Sequence, residues 1–301
     1  SCLCINMSAI ILDGKSTSAA IKVKMAAEVN SFLEKGLRKP KLVAILVGND
    51  GASETYVASK AKDCLELGMS SEIIRFNSDI SEETLVQKIH EINADTNIDG
   101  LIVQLPLPKH ISAENITLAI SPDKDVDGFH PVNVGNMFKG LPAFLPATPY
   151  GIFLMLEQYG IKTAGKHCVI IGRSDIVGKP MSALMSRNAE PGNCTVTLCH
   201  SKTQDLSYFT KQADILIAAL GKPLFIDKSM VKAGAIVIDV GITRIDAPEL
   251  SKKYKIVGDV DFESVKEVAS YITPVPGGVG LMTRIGLLKN TLDSYKRTFN
   301  L

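Results

Sequence analysis

Several side chains in this chain are of types that move protons, grip a heterocycle or hold a phosphate, and their spacing is specific. Tyr56 and Lys60 stand at i and i+4, which puts both on one face of a helix. A lysine beside an aromatic ring at a strand-to-helix crossover can transfer protons if burial lowers its pKa, while the ring stacks on a flat substrate. The bland alternative is a pair of solvent-side neighbours. Gln104 closes an apolar run and is followed by Pro106 and Pro108, so a neutral amide able to orient water stands at a stiffened strand end. Asp125-Val-Asp127-Gly128 offers carboxylates that can accept from amino and ring N–H groups, or an Asx turn before glycine.

Farther along, Gly172-Arg173-Ser174-Asp-Ile176-Val177-Gly178 follows a buried run and opens a helical pattern. Backbone N–H groups and a helix N-terminus can hold a pyrophosphate there. The turn departs from G-x-G-x-x-G, with Ser174 at the second glycine and Gly178 one residue late, so a simple tight turn stays open. The next strand ends in Cys199-His-Ser201-Lys-Thr203, without the acid that binds a free ribose 2′-hydroxyl. With Arg173 in the turn, this end suits NADP better than NAD; an incidental polar loop is the alternative. Thr273-Pro-Val-Pro276-Gly277-Gly278-Val-Gly280 adds a stiff loop whose glycines allow close approach of backbone to a ligand.

The elements that must position these groups read as α/β. Strands are expected at Lys41–Val47, about Ile73–Ile74 and Gly100–Gln104, with helices from Ser53, as N-cap, to Leu67 and from Ser81 to about Asn93. Val57, Ala61, Cys64 and Leu65 form the expected core-facing stripe of the first helix. Between Asp123 and Thr148 the periodicity loosens in a stretch that holds Pro131, Pro142 and Pro146 and is flanked by Pro122 and Pro149, which marks a boundary. A helix over about Tyr150–Tyr159 then leads into strands at His167–Ile171, Thr195–Cys199, Ile215–Ala219 and Ala235–Val240. Short strands follow near Ile256 and at Tyr271–Ile272, and a last helix runs from about Met282 to Phe299. The expected architecture is two α/β domains with a cleft between them: residues 7–148, completed by the helix 282–301, and a Rossmann-like domain over 149–281.

The 301 residues suffice for two cores, and 46% hydrophobic with 22% charged residues excludes disorder as the main state. A net charge of +1 argues against sequence-independent nucleic-acid binding. Six cysteines, at 2, 4, 64, 168, 194 and 199, show no metal-ligand spacing and read as reduced core residues, so no metal site is expected. No apolar stretch approaches a membrane span, and the start resembles no signal peptide, which points to a cytoplasmic protein. Met7 is a plausible initiator, and the six residues before it match no structural pattern.

Together, Tyr56-Val-Ala-Ser-Lys60, Val103-Gln-Leu-Pro-Leu-Pro108, Asp123-Lys-Asp-Val-Asp-Gly128, the turn 172–180, Cys199-His-Ser-Lys-Thr203 and Pro274-Val-Pro-Gly-Gly-Val-Gly280 occur in one order. This order closely resembles the bifunctional methylenetetrahydrofolate dehydrogenase/methenyltetrahydrofolate cyclohydrolase family, over nearly the whole chain from about Ile10. The resemblance implies oxidation of 5,10-methylenetetrahydrofolate with NADP, then hydrolysis of the methenyl product to 10-formyltetrahydrofolate. By matching position, it makes Lys60 the proton-transfer residue, Gln104 its polar partner, Tyr56 the stacking ring and Asp127 the group that grips the pterin. Ser53, Pro276, Gly277 and Gly280 would line the folate site. Gly172, Arg173, Ser174, Ile176, Val177, Ser201, Ile242 and Gly278 would hold the dinucleotide, with Arg173 and Ser201 on the 2′-phosphate. It also implies a homodimer formed through the nucleotide-binding domains.

Two positions depart from the family pattern: Ala147 replaces a common cysteine, and Leu281 replaces a proline, which is expected to loosen the neighbouring loop. Competing readings are a dehydrogenase without hydrolase activity, an NAD-using member, or a non-catalytic NADP-binding regulatory module. Lys60 and Gln104 argue against the first, Arg173 and Ser201 against the second, and the intact motifs against the third.

Overall fold

The computed structural model describes residues 8–301; Cys2, Cys4 and Met7 lie outside the described residues. In chain order the elements are β1 (Ile10–Ile11), α1 (Gly14–Glu34), β2 (Lys41–Val47), α2 (Gly51–Glu66), β3 (Ser70–Phe76), α3 (Glu82–Ala94) and β4 (Gly100–Val103). Then come α4 (Ala113–Ala119), α5 (Pro131–Lys139), α6 (Ala147–Gln158), β5 (His167–Ile171), α7 (Gly178–Ser186), β6 (Thr195–Cys199) and α8 (Leu206–Thr210). The chain closes with β7 (Ile215–Ala218), β8 (Ile236–Asp239), β9 (Thr243–Asp246), β10 (Tyr254–Val257), α9 (Phe262–Val265), β11 (Tyr271–Ile272) and α10 (Val279–Phe299). Two compact units result, one of residues 8–18 with Thr148–Thr283, the other of Ala19–Ala147 with Arg284–Leu301.

The second of these carries a three-stranded parallel sheet in the order β3-β2-β4. Its central strand reads Lys-Leu-Val-Ala-Ile-Leu-Val, apolar on both faces because helices cover both sides of a parallel sheet. Val43, Ile45, Leu101 and Val103 meet Leu85 and Ile89 of α3 in one core. Ser81 caps α3 by accepting from Thr84 N, as expected. The stretch 123–148, expected to be irregular, holds α5, started by His130 with Pro131 at its first turn and stopped by Gly140 at φ 71°. A nine-residue helix with such caps forms from local chemistry that proline counting alone reads as loop.

The other unit carries a six-stranded parallel sheet in the order β1-β11-β8-β7-β5-β6. Strands β5, β6 and β11 fall at the expected residues, and Val169, Ile171, Leu216, Ala218, Val237 and Ile272 form its core. Two features differ from the sequence reading. The described residues up to Ser18 belong to this unit, since β1 pairs with β11 (Ile10 opposite Tyr271), whereas the sequence reading placed everything from residue 7 in the other domain. The segment near Ile256 is one arm of an antiparallel ribbon, β9–β10, with the Arg244 guanidinium 4.6 Å from the Tyr254 ring centroid. Cys64, Cys168, Cys194 and Cys199 are free and buried.

Candidate active site

In the three-stranded unit, β3 and β4 flank β2 on opposite sides, so the chain changes direction across the sheet beside the carboxyl end of β2. Ligands of open α/β sheets bind at such switch points. Helix α2 follows β2 directly. Its N-cap is Asp50, not Ser53 as the sequence reading had it: Asp50 Oδ2 accepts from Ser53 N at 2.8 Å and from Ser53 Oγ at 2.7 Å. Those two bonds, the side-chain one first, hold the Asp50 carboxyl below its ordinary range. Ser53 is 3% exposed, and its hydroxyl also lies 3.4 Å from Leu105 O.

About two and a half turns into α2, the half-buried Lys60 turns back toward the sheet. Its Nζ donates to Gln104 Oε1 at 3.1 Å, joining two residues the sequence separates widely. The Gln104 amide is anchored from two sides, its Nε2 donating to Leu105 O at 3.0 Å and its backbone N–H to Ile45 O at 2.9 Å. Tyr56, one turn before Lys60, leaves 55% of its surface exposed, as a stacking platform requires. The helix stripe is narrower than expected, however. Val57 and Cys64 are buried, Ala61 is intermediate, and Leu65 is exposed, because the burial stripe continues through Asp63 and Leu67 instead.

The loop between α4 and α5 separates two carboxylates that the sequence could not tell apart. Asp125 is buried and accepts from Phe129 N, His130 N and Asn133 Nδ2 at 3.2, 2.8 and 2.9 Å. Burial pushes its carboxyl up to about 6, against the pull of those donors. The Asx-type role therefore belongs to Asp125. Asp127 makes no hydrogen bond within the described residues and lines a small cavity with Val103, Leu105 and Phe129. Burial raises its carboxyl, and the Lys60 ammonium opposes the rise. Asn290 of α10 fixes the preceding residue, donating through Nδ2 to Val126 O at 2.9 Å and to Leu145 O at 2.8 Å. Nothing local in the sequence marks Asn290, which stands between Lys289 and Thr291.

In the six-stranded unit the switch point lies between β5 and β7, and Gly172 sits at the end of β5. Gly172 has φ 116°, and a Cβ on it would lie 2.1 Å from Ala219 O. A Cβ on Gly178 would lie 1.8 Å from Gly172 O. Gly172 is thus demanded by its positive φ and the close approach of the chain after β7, and Gly178 by the turn closing on itself. Ser174 Oγ accepts from Val177 N at 3.1 Å, so the residue that replaces the motif's second glycine braces the turn. Arg173, Ser174 and Ile176 are exposed, whereas Val177 is 6% exposed and offers a ligand at most its backbone.

A cavity of about 420 Å³ opens here, lined by Gly172, Arg173, His200, Ser201, Lys222 and Phe225 among others. It unites Arg173 and Ser201, and adds His200, Lys222 and Phe225, which the sequence reading had not assigned. Among the described residues no Asp or Glu lines it. A dinucleotide phosphate fits this donor set. Elsewhere in the unit, Gly14 N donates to Gly277 O at 2.8 Å, and a methyl on Gly280 would lie 3.4 Å from Ile242 Cδ1, so Gly280 and Ile242 are neighbours. A Cβ on Gly278 would lie 2.3 Å from Pro274 O; Pro276 follows Val275 through a cis peptide. Leu281 lies outside this loop. It is the third residue of α10, where the missing N–H of a proline would cost little and a leucine costs less. Ala147 is buried at the start of α6.

Parallel sheets with a glycine turn at one switch point and an anchored lysine–amide pair at another define a two-unit α/β enzyme that binds a dinucleotide. Comparison with known families makes this particular. The profile described as tetrahydrofolate dehydrogenase/cyclohydrolase, catalytic domain, matches residues 12–127, and that of the NAD(P)-binding domain matches residues 146–299. The chain belongs to the tetrahydrofolate dehydrogenase/cyclohydrolase family. It is 59% identical over 286 residues to the bifunctional protein FolD of Flavobacterium johnsoniae, covering 95% of this chain and 97% of that protein. The crystal structure of the bifunctional FolD enzyme from Campylobacter jejuni matches with a TM-score of 0.90 at 47% identity, over 96% of this chain and 99% of that one. The Trypanosoma brucei enzyme, solved with NADP and an inhibitor, matches with a TM-score of 0.90 at 34% identity, over 98% of this chain and 100% of that one.

Proposed function

We propose that this chain oxidises 5,10-methylenetetrahydrofolate with NADP and hydrolyses the methenyl product to 10-formyltetrahydrofolate. The observation that carries this reading is the 3.1 Å contact of Lys60 with Gln104, which supplies hydrolysis with groups that dehydrogenation alone does not need. In this reading Lys60 moves the proton at the attacking water and at the departing nitrogen, while the anchored Gln104 amide orients that water. Tyr56 stacks on the pterin, and Asp127, whose oxygens have no donor among the described residues, accepts from its N–H groups. Ser53 contributes through the start of α2, since its hydroxyl hydrogen is committed to Asp50.

The bound dinucleotide supplies the hydride acceptor. Arg173 and Ser201 hold the 2′-phosphate, the turn from Gly172 through Ser174, Ile176 and Val177 takes the pyrophosphate, and Ile242 and Gly278 complete the cofactor site. Pro276, Gly277 and Gly280 border the folate. We read Ala19–Ala147 with Arg284–Leu301 as the folate domain and residues 8–18 with Thr148–Thr283 as the dinucleotide domain. Four free, buried thiols support a reducing compartment, taken here as the cytoplasm. Among the described residues no helix is long and apolar enough to cross a membrane. The homodimer is carried over from the family.

The test is turnover of 5,10-methylenetetrahydrofolate by the purified chain, with products resolved, in parallel with NADP and NAD. The expected result is reduced NADP with 10-formyltetrahydrofolate and no methenyl build-up. Accumulated methenyl product, or turnover with NAD alone, would overturn the corresponding half of the reading.

A further inference from the structure

The loop after β7 is held more firmly than a connecting loop requires. Leu220 N and Gly221 N both donate to Asp259 Oδ2, at 2.9 and 3.1 Å, and Asp259 is 0% exposed. Farther on, Leu224 N donates to Gly258 O at 3.0 Å and Ile226 N to Asp259 O at 2.9 Å. Between these anchors Leu224 is kept at φ 55°, a left-handed conformation that a side chain with a Cβ resists. Strain of this kind persists where the surroundings over-determine it, and it aims the neighbouring residues.

The residues aimed are Lys222 and Phe225, which flank the strained position and line the 420 Å³ cavity with Arg173 and Ser201. The Lys222 ammonium lies 5.2 Å from the centroid of the Phe225 ring. An aromatic face holds a cation without neutralising it. Among the described residues neither Lys222 nor Arg173 forms an ion pair, and no carboxylate is among the residues lining the cavity, so two cationic side chains face it without an anionic partner in its wall.

We propose that Lys222, seated on Phe225, is a second cationic ligand beside Arg173 for the phosphate on the adenosine ribose, and thereby a determinant of preference for the phosphorylated over the unphosphorylated dinucleotide. The proposal rests on the reading that this cavity takes that end of NADP. Lys222 is exposed on a surface loop, so its replacement leaves the core untouched.

The experiment is calorimetric titration of the full chain and its variants with 2′,5′-ADP and with 5′-AMP, at low and at physiological salt. Lys222→Gln is expected to weaken 2′,5′-ADP about tenfold while 5′-AMP changes less than about twofold. The loss is expected to shrink at high salt, and Lys222→Arg to restore affinity. Phe225→Leu is expected to reproduce part of the loss. Equal weakening of both ligands in Lys222→Gln, or no weakening of either, would overturn the role of Lys222. If Arg173→Gln removes the preference while Lys222→Gln leaves it intact, the NADP reading stands and this proposal falls. A wild-type chain that binds 5′-AMP as tightly as 2′,5′-ADP would overturn both.

Discussion

Replacing Lys60 by methionine isolates the charge from the stem. Methionine keeps an unbranched apolar side chain along α2 and removes only the ammonium. What the fold loses is one bond, Nζ to Gln104 Oε1 at 3.1 Å. Gln104 stays anchored through Nε2 to Leu105 O and through its backbone N–H to Ile45 O, and its half-buried Oε1 can turn to water. The stability cost should therefore be about 1 kcal/mol or less. Catalysis loses much more, because a positioned proton-transfer group contributes about 10²- to 10⁴-fold. The variant also removes the charge that opposes the upward shift of the Asp127 carboxyl, so any dependence on ionised Asp127 should move to higher pH. Two rates and one affinity decide the matter: the absorbance decay of 5,10-methenyltetrahydrofolate above its uncatalysed rate, the initial rate of NADP reduction, and NADPH binding by fluorescence. Hydrolysis should fall at least about 100-fold while NADPH affinity changes less than about twofold, since the cofactor site is built on other elements. Hydrolysis within about threefold of the parent, in a variant with unchanged melting, would refute the role of Lys60.

Three further outcomes test the scaffold. Asp99 is buried, takes both arms of the Arg38 fork at 2.7 and 2.8 Å and accepts from Lys41 N at 2.7 Å, so Asp99→Ala should cost about 3 kcal/mol in denaturant unfolding. A cost below about 1 kcal/mol would mean the pair is not structural. Burial pushes the Asp239 carboxyl up to about 6 against three backbone donors, so the folded state favours the protonated form. Its charge penalises folding above about pH 6, and the penalty fades as pH falls toward 4. Asp239→Asn should gain on the parent by about 3 kcal/mol as pH rises through that window, on top of any constant offset, and a pH-independent difference would contradict the shift. Gly178→Ala forces a Cβ to within 1.8 Å of Gly172 O, so the turn must open. It should cost about 1–3 kcal/mol and weaken dinucleotide binding, and unaltered melting and affinity would show that the turn gives way freely.

Local chemistry was legible in this sequence because its causes are local. Apolar and β-branched runs placed β5, β6 and β11, Ser81 marked the start of α3, and the ordered motifs by themselves pointed to the family. Legibility ended where a residue's role depends on a distant partner. The two-residue β1 is too short to carry a pattern and exists because β11 offers it an edge. Asp125 and Asp127 have the same chemistry two residues apart. Only the fold turns one toward Phe129, His130 and Asn133 and leaves the other without a donor among the described residues, under the charge of Lys60. Leu65 carries a core-forming side chain, but the orientation of α2 on its sheet decides burial, and it spends that position on Asp63, which pairs with Lys22 and Arg284. The sequence by itself determined the elements, the turn chemistry and the candidate groups, since propensity, capping and periodicity act over a few residues. The tertiary structure alone decided which of those groups meet, because the Lys60–Gln104 bond and the Arg173–Lys222 cavity depend on side chains brought together by strand order rather than by spacing along the chain.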